Sequence, residues 1–142
     1  LYSEESALTY MFHSSKEMLH YAVCLQEDDF IIGDVFAVRE YTDTYSVGWH
    51  FNQRFEGKGL AYEAATGFLD YLFLEADARR VYGFVENDNQ RSKRLCERLG
   101  MRNEGCIKEF ISFVCHPDGT PKYEDTCIYA VLNKEWKNNK NI

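Results

Sequence analysis

The chain has 142 residues, of which 45% are hydrophobic and 27% are charged. This composition is typical of one globular domain and excludes disordered and fibrous classes, and no apolar run approaches the roughly 18 residues of a membrane span. The 16 basic and 23 acidic residues leave a net charge of −7, which argues against non-specific nucleic-acid binding and favours cationic partners such as amines or basic peptides.

The first half of the chain predicts an antiparallel meander. Its first twenty residues are ambiguous, but Ser14 and the Ser-Lys-Glu that follows it would cap a short helix ending near His20. A bulge is expected at Gly33, inside a β-branched run. Strands separated by acidic turns are predicted over 21–26, 30–39 and 44–52.

In the second half the hydrophobic period changes. Apolar residues from Gly57 to about Ala76 recur at helical spacing, and a second helix stops at Gly100. The segments after the first helix read as strand, helix, strand and strand, over 80–86, 89–99, 104–115 and 123–132. The order β-β-β-α-β-α-β-β predicts an α/β (α+β) fold with a mixed, mostly antiparallel sheet, and we expect one domain over 1–142.

Cysteine usage bears on compartment and metal binding. The five cysteines are odd in number and lack C-x-x-C spacing. We therefore expect reduced thiols, a cytoplasmic location and no zinc site. The chain starts with acidic and polar residues, so no secretory signal is expected.

The segment from Asn52 to Ala61 (NQRFEGKGLA) joins a strand to a helix through Gly57 and Gly59. The first turn of a helix leaves about four N–H groups unpaired, and glycines allow a ligand to come close, so the segment suits a pyrophosphate. A tight turn that needs glycine and binds nothing explains it equally well. Neither G-x-x-x-x-G-K-[ST] nor G-x-G-x-x-G is matched.

Further motifs follow at ordered separations. Arg54, Gly57 and Gly59 match [QR]-x-x-G-x-[GA], N-x-x-S stands at Asn89 to Ser92, and L-G-M-x-x-E-G covers 99–105. Together they resemble the GNAT superfamily of acyl-CoA N-acyltransferases, and within it the branch of ribosomal-protein serine/alanine N-acetyltransferases.

This resemblance implies acetyl-CoA as donor and a primary amine as acceptor. It also implies that the third predicted strand splays from the next one and exposes main-chain groups to the pantetheine arm. For Asn89 a helix N-cap is the alternative explanation, and the two roles are compatible. The residues that it assigns to the cofactor are Phe51, Asn52, Arg54, Phe55, Glu56, Gly57, Lys58, Gly59, Asn89 and Ser92.

The proton-transfer residues follow the family pattern only in part. The resemblance assigns Ser92 to protonation of the leaving thiolate. The tyrosine that many members carry seven residues after the asparagine is Cys96 here, which we expect to pack in the core. The branch's glutamate is replaced by Ile111, so Glu109, two residues earlier on the same strand face, is the substitute.

The base is open. His50 is a candidate because it follows Trp49 in the strand beside the expected thioester and an imidazole changes charge near neutral pH, although a structural histidine explains it too. Proton loss to solvent needs no base. Three acids are further candidates: Asp43, Glu124 and Asp125. Aromatic residues that would line an acceptor pocket or pack in the core are Tyr45, Trp49, Phe110, Phe113 and Tyr123.

The expected function is acetyl-CoA-dependent N-acetylation, with a protein N-terminal α-amine of the ribosomal type as first choice. The alternatives are a small-amine acetyltransferase (polyamine, amino acid or aminoglycoside) and a non-catalytic acyl-CoA-binding module. Family members begin with a strand and a helix, whereas only Leu1 to about His20 precedes the meander here. We therefore expect those elements to be absent or truncated; a homodimer is compatible with these expectations.

Overall fold

The computed structural model describes residues 7–14, 18–27 and 29–140, with the backbone alone for 7–14. Within these residues seven strands form one sheet in the order β1-β2-β3-β4-β5-β7-β6. All neighbours are antiparallel except β4 and β5. The elements are β1 Ala7–Ser14, β2 Met18–Leu25, β3 Ile31–Glu40, β4 Thr44–Phe51, α1 Leu60–Asp70, β5 Arg80–Glu86, α2 Gln90–Arg98, β6 Arg102–Cys115, β7 Pro121–Leu132 and α3 Asn133–Asn139.

The predicted fold class is confirmed: the chain forms a mixed, mostly antiparallel sheet with flanking helices. The strand over 80–86 has the predicted bounds, and the second predicted helix is α2. One continuous sheet with one main core cluster agrees with a single domain over 1–142, which stays a prediction.

The N-terminal segment differs from expectation. The predicted helix ending near His20 is wrong where the structure describes it, because Met18–His20 belong to β2 and Ser14 ends β1. Residues 15–17 lie outside the described part. Leu19 packs against the core while His20 pairs across to Phe36, the alternation of a strand held between two neighbours. The strand β1 was not predicted, and it pairs with β2 along its length.

The bulge predicted at Gly33 falls on its neighbour Ile32. Val23 of β2 lies opposite Gly33, but Cys24 lies opposite Ile31, so Ile32 has no partner there. A Cβ added to Gly33 would lie 2.2 Å from the carbonyl oxygen of His50. Glycine is therefore needed here for the close approach of β4.

The helices cover the buried face of the sheet. Small and apolar residues of α1 such as Ala65 and Phe68 are buried with the core cluster. The predicted first helix continues past α1 as a wider π-helical turn, Tyr71–Glu75, and ends at Ala76. A helix that the sequence pattern does not indicate, α3, buries Trp136. No helix in the described ranges is long and apolar enough to cross a membrane.

Candidate functional site

A cleft of about 490 Å³ opens where β4 and β5 separate. Their parallel pairing is confined to Thr44–Val47 with Arg80–Gly83, and β4 then continues to Phe51 beside β3 alone. The splay implied by the family resemblance is therefore present. The cleft is lined by the end of β4, the following turn, the start of α1 and one face of α2.

The free edge of β4 presents main-chain groups to this cleft. The N–H of Asn52 donates to the carbonyl of Ile32 at 2.7 Å, towards β3. Successive residues of a strand direct their N–H and C=O to opposite sides, so those of Phe51 and Trp49 point away from β3. The carbonyl of Val47 lies on that same side, facing β5.

This alternation separates Phe51 from Asn52, both of which the family resemblance assigns to the cofactor. Phe51 is on the open edge as expected, and Trp49 joins it. Asn52 also lines the cleft, but its polar groups are engaged in the turn: its carbonyl accepts from the N–H of Phe55 at 3.1 Å and its side chain accepts from the N–H of Arg54 at 3.0 Å. Only the pairing of β4 with β3 reveals which main-chain groups of β4 face the cleft.

The N-terminus of α1 opens into the same cleft. Gly57 and Gly59 have φ values of +83° and +75°, and a Cβ on either would meet nothing within 4 Å. The N-cap, Gly59, has no side chain to satisfy the first N–H groups of the helix. The N–H groups of Leu60 and Ala61, which line the cleft, therefore lack an intrahelical acceptor and suit an anionic ligand.

Three arginines of α2 line the opposite wall of the cleft, and none of them is among the predicted site residues. Arg91, Arg94 and Arg98 recur at helical spacing, which was the available signal. Arg91 Nε lies 2.9 Å from an oxygen of Glu56, and the guanidinium of Arg98 lies 4.2 Å from the ring centre of Tyr62. This wall of the cleft is cationic, and the Glu56 carboxylate that faces it is already paired with Arg91.

Among the remaining predicted cofactor residues, Phe55, Glu56, Asn89 and Ser92 also line the cleft, whereas Arg54 and Lys58 do not. The two cations lie within 6 Å of the ring centre of Phe55 instead, at 5.9 and 5.7 Å.

Asn89 and Ser92 stand together at the start of α2. The side chain of Asn89 accepts the N–H of Ser92 at 3.2 Å, so Asn89 is the helix N-cap and a cleft residue at once. One turn further on, burial raises the pKa of the Cys96 thiol to about 12, with Glu97 adding to the shift. The thiol is 1% exposed and belongs to the core, as its packing interpretation expects.

His50 lies at the cleft in a cluster that the sequence did not reveal. Its Nδ1 is 2.9 Å from one oxygen of Asp34, and Nε2 of His20 is 2.6 Å from the other. The ring of Phe36 stacks on His50 with centres 5.7 Å apart. These residues come from three strands, so their pairing register brings them together.

Glu109 is not brought to this site. It lies outside the cleft in a stretch of β6 where the register shifts between Ile107 and Ile111, and its φ is +46°. The shift removes the regular alternation on which its choice as a substitute rested. Its N–H donates to Asp125 at 2.9 Å, and this bond, with Lys108, holds the pKa of Asp125 below its ordinary value.

The other candidates also serve local structure. Asp43 lies in a turn, 3.5 Å from Arg39, and Glu124 lies 3.7 Å from Lys122. Of the aromatic residues proposed for an acceptor pocket, Trp49 lines the cleft and Tyr45 is buried in the core. The remaining three are exposed outside the cleft: Phe110, Phe113 and Tyr123.

Comparison with known proteins identifies the family. The profile of the acetyltransferase (GNAT) domain matches residues 1–102. The chain belongs to the GNAT acetyltransferase family. This GNAT chain is 31% identical over 138 residues to the uncharacterized N-acetyltransferase YnaD of Bacillus subtilis (strain 168), a match over 96% of this chain and 78% of YnaD.

Two further relatives bear on function and fold. The [ribosomal protein uS5]-alanine N-acetyltransferase of Escherichia coli (strain K12) is 29% identical over 63% of this chain, which spans only 43% of that enzyme. The crystal structure of a GNAT-family acetyltransferase from Bacillus anthracis superposes with a TM-score of 0.71 at 32% identity, covering 82% of this chain and 67% of that one.

The predictions of a GNAT N-acetyltransferase and of acetyl-CoA as its donor are thereby confirmed. The residues present fit that donor. A free strand edge suits the amide-containing arm, and an uncapped helix N-terminus with a cationic wall suits the phosphates.

Proposed function

We propose that this GNAT protein acetylates the N-terminal α-amine of a protein, of the ribosomal type. The observation that carries the proposal is the cleft that joins the free edge of β4 to the N-terminus of α1. The similarity to an enzyme named for the alanine of ribosomal protein uS5 supports this choice of acceptor. The −7 charge suits a cationic protein as acceptor.

In this proposal the donor is held by main-chain and cationic groups. The outward N–H and C=O groups of Trp49 and Phe51 bind the pantetheine arm as an added strand would. The uncapped N–H groups after Gly59 bind the pyrophosphate, and Arg94 and Arg98 neutralise phosphate charge.

Acetyl-CoA supplies the acetyl group as a thioester, and the chain's own residues manage the protons. The hydroxyl of Ser92, at the cleft, donates a proton to the departing sulfur and takes one back from solvent, to which His50 releases the proton of the amine. His50 accepts a proton from the amine at Nε2, because Asp34 accepts the Nδ1–H and thereby holds the other nitrogen free. Asp34 is a positioning residue in this proposal, which leaves Glu109 out because Glu109 does not line the cleft.

The acceptor is tested by acetylating a panel of amines with the purified chain. The panel holds peptides with a free N-terminal alanine or serine, the same peptides blocked at the N-terminus but carrying lysine, spermidine, an amino acid and an aminoglycoside. Mass spectrometry identifies the acetylated product. Acetylation of the free N-termini alone supports the proposal. Faster turnover of a small amine contradicts it and favours the alternative, while donor binding without any product favours a non-catalytic module.

Compartment and assembly belong to the same proposal. Five free cysteines among the described residues are typical of a reducing compartment, so we propose the cytoplasm. A homodimer stays a prediction, which light scattering of the purified chain tests.

A further inference from the structure

Cys106 of β6 and Cys127 of β7 lie directly opposite each other, with their sulfur atoms 3.3 Å apart. Directly opposed residues of antiparallel strands share one face of the sheet, so neither side chain has to change face for the sulfurs to meet. Irregular pairing flanks the two on β6, between Asn103 and Gly105 and again after Ile107. Local adjustment of β6 is therefore possible without breaking a regular ladder.

The backbone at this pair suits a covalent link. The N–H of Asn87 donates to the carbonyl of Asp125 at 2.8 Å, so the main-chain groups of Asp125 point to the β5 side. Cys127 lies two residues further on, so its main-chain N–H and C=O also point to the β5 side. Cys127 therefore exchanges no main-chain hydrogen bonds with Cys106. Such pairs have Cα atoms about 4.5 Å apart, within the range of roughly 4.4 to 6.8 Å found in disulfides.

The two thiols differ in access. Cys106 is exposed, whereas Cys127 is 1% exposed and belongs to the core cluster. The amide oxygen of Asn87 lies 3.4 Å from the sulfur of Cys127 and 3.9 Å from that of Cys106. An oxidant from solvent therefore reaches Cys106 first, and the thiol of Cys127 lies buried within contact distance of it.

Metal binding does not explain the pair. Among the residues described, no group of three or more His, Cys, Asp or Glu side chains is placed to hold a metal ion. Zinc sites built on cysteine use more ligands than the two sulfurs present here.

We propose that Cys106 and Cys127 are a dithiol modification site that closes to an intrachain disulfide with hydrogen peroxide. The Cys106 thiol gives up its proton and its sulfur attacks a peroxide oxygen, the O–O bond breaks, and the departing hydroxide takes that proton, so that sulfenic acid and water form. Cys127 then attacks the Cys106 sulfur, the S–O bond breaks, and a second water leaves as the S–S bond forms. Overall, two thiols lose two protons and two electrons, which the peroxide takes up to become two waters.

The test is a peptide map of the whole chain after peroxide treatment and alkylation of the remaining thiols. Tryptic cleavage places the five cysteines on five different peptides, so each linkage is read directly. The expected product is peptide 103–108 joined to peptide 123–134, with the chain lighter by two hydrogens and restored by dithiothreitol. Cys115→Ser, which removes an exposed thiol from the same strand, is expected to leave this product unchanged, while Cys106→Ser is expected to abolish it.

The result that overturns the proposal is read from the wild-type chain alone, so it does not depend on the folding of a variant. It is recovery of Cys106 as sulfinic or sulfonic acid beside a free Cys127 thiol. Linkage of Cys106 to Cys115 or to another chain also overturns the proposal. So does a Cys106–Cys127 pair that stays fully reduced under peroxide conditions that oxidise free cysteine completely.

Discussion

Replacing Gly57 with glutamate is expected to weaken acetyl-CoA binding and leave the fold intact. Gly57 has a φ of +83°, and a Cβ there meets nothing within 4 Å, so a side chain has room. The left-handed conformation costs a non-glycine residue about 1 to 2 kcal/mol, which lowers the midpoint of thermal unfolding by a few degrees.

The loss of binding comes from charge. A carboxylate about 5 Å from one phosphate charge is repelled by about 0.8 kcal/mol in water and by about 3.3 kcal/mol at an effective dielectric constant near 20. Two such charges give a total of about 1.6 to 6.6 kcal/mol. Since 1.4 kcal/mol is about tenfold in affinity, Gly57→Glu is expected to raise the Kd for acetyl-CoA at least about tenfold.

Titration calorimetry with acetyl-CoA measures this Kd, and two variants isolate the cause. Gly57→Ala carries the backbone strain without the charge. Gly119→Glu carries the same charge at a position with a φ of +89° and no atom within 4 Å of its added Cβ, in the turn between β6 and β7. If Gly57→Glu binds acetyl-CoA as tightly as Gly119→Glu does, the pyrophosphate does not lie at the N-terminus of α1.

The other predictions concern proton transfer and stability. Ser92→Ala is expected to lower kcat at least about tenfold with little change in the Kd for acetyl-CoA, and an unchanged kcat contradicts its role as acid. Asp34→Asn is expected to lower kcat by a similar factor and to alter the pH profile of kcat. His50→Gln alone is expected to lower kcat as much as the double variant of Asp34→Asn with His50→Gln does. Losses that add in the double variant contradict a shared role of the two residues. Hydrogen bonds from Arg80 lower the pKa of Glu104, so this contact stabilises the fold above the unfolded-state pKa of about 4.3 and is lost as pH falls through the lower folded-state pKa. Urea unfolding is therefore expected to show Glu104→Gln less stable than the wild type at neutral pH, with a difference that narrows in acid; a difference that persists in acid contradicts the ion-pair origin.

Local signals in the sequence determined much of the fold and the donor side of the site. The strand over 80–86 and the helix α2 were predicted because hydrophobic period, the Asn89 cap and the Gly100 stop all lie within one short segment. The turn at Gly57 and Gly59 was recognised for the same reason, since a positive φ is a local demand that glycine meets.

Contacts between distant segments were decided by the tertiary structure alone. The sequence places His50 and Asp34 on strands, but only strand register sets them opposite each other and brings His20 to the same carboxylate. A register shift in β6 cancels the two-residue alternation on which the choice of Glu109 rests. The same pairing of β6 with β7 sets Cys106 against Cys127. Each of these contacts joins residues far apart along the chain. Hydrophobic periodicity and helix-capping signals are local and carry no information about such contacts, so only the pairing of strands fixes the distance between the residues.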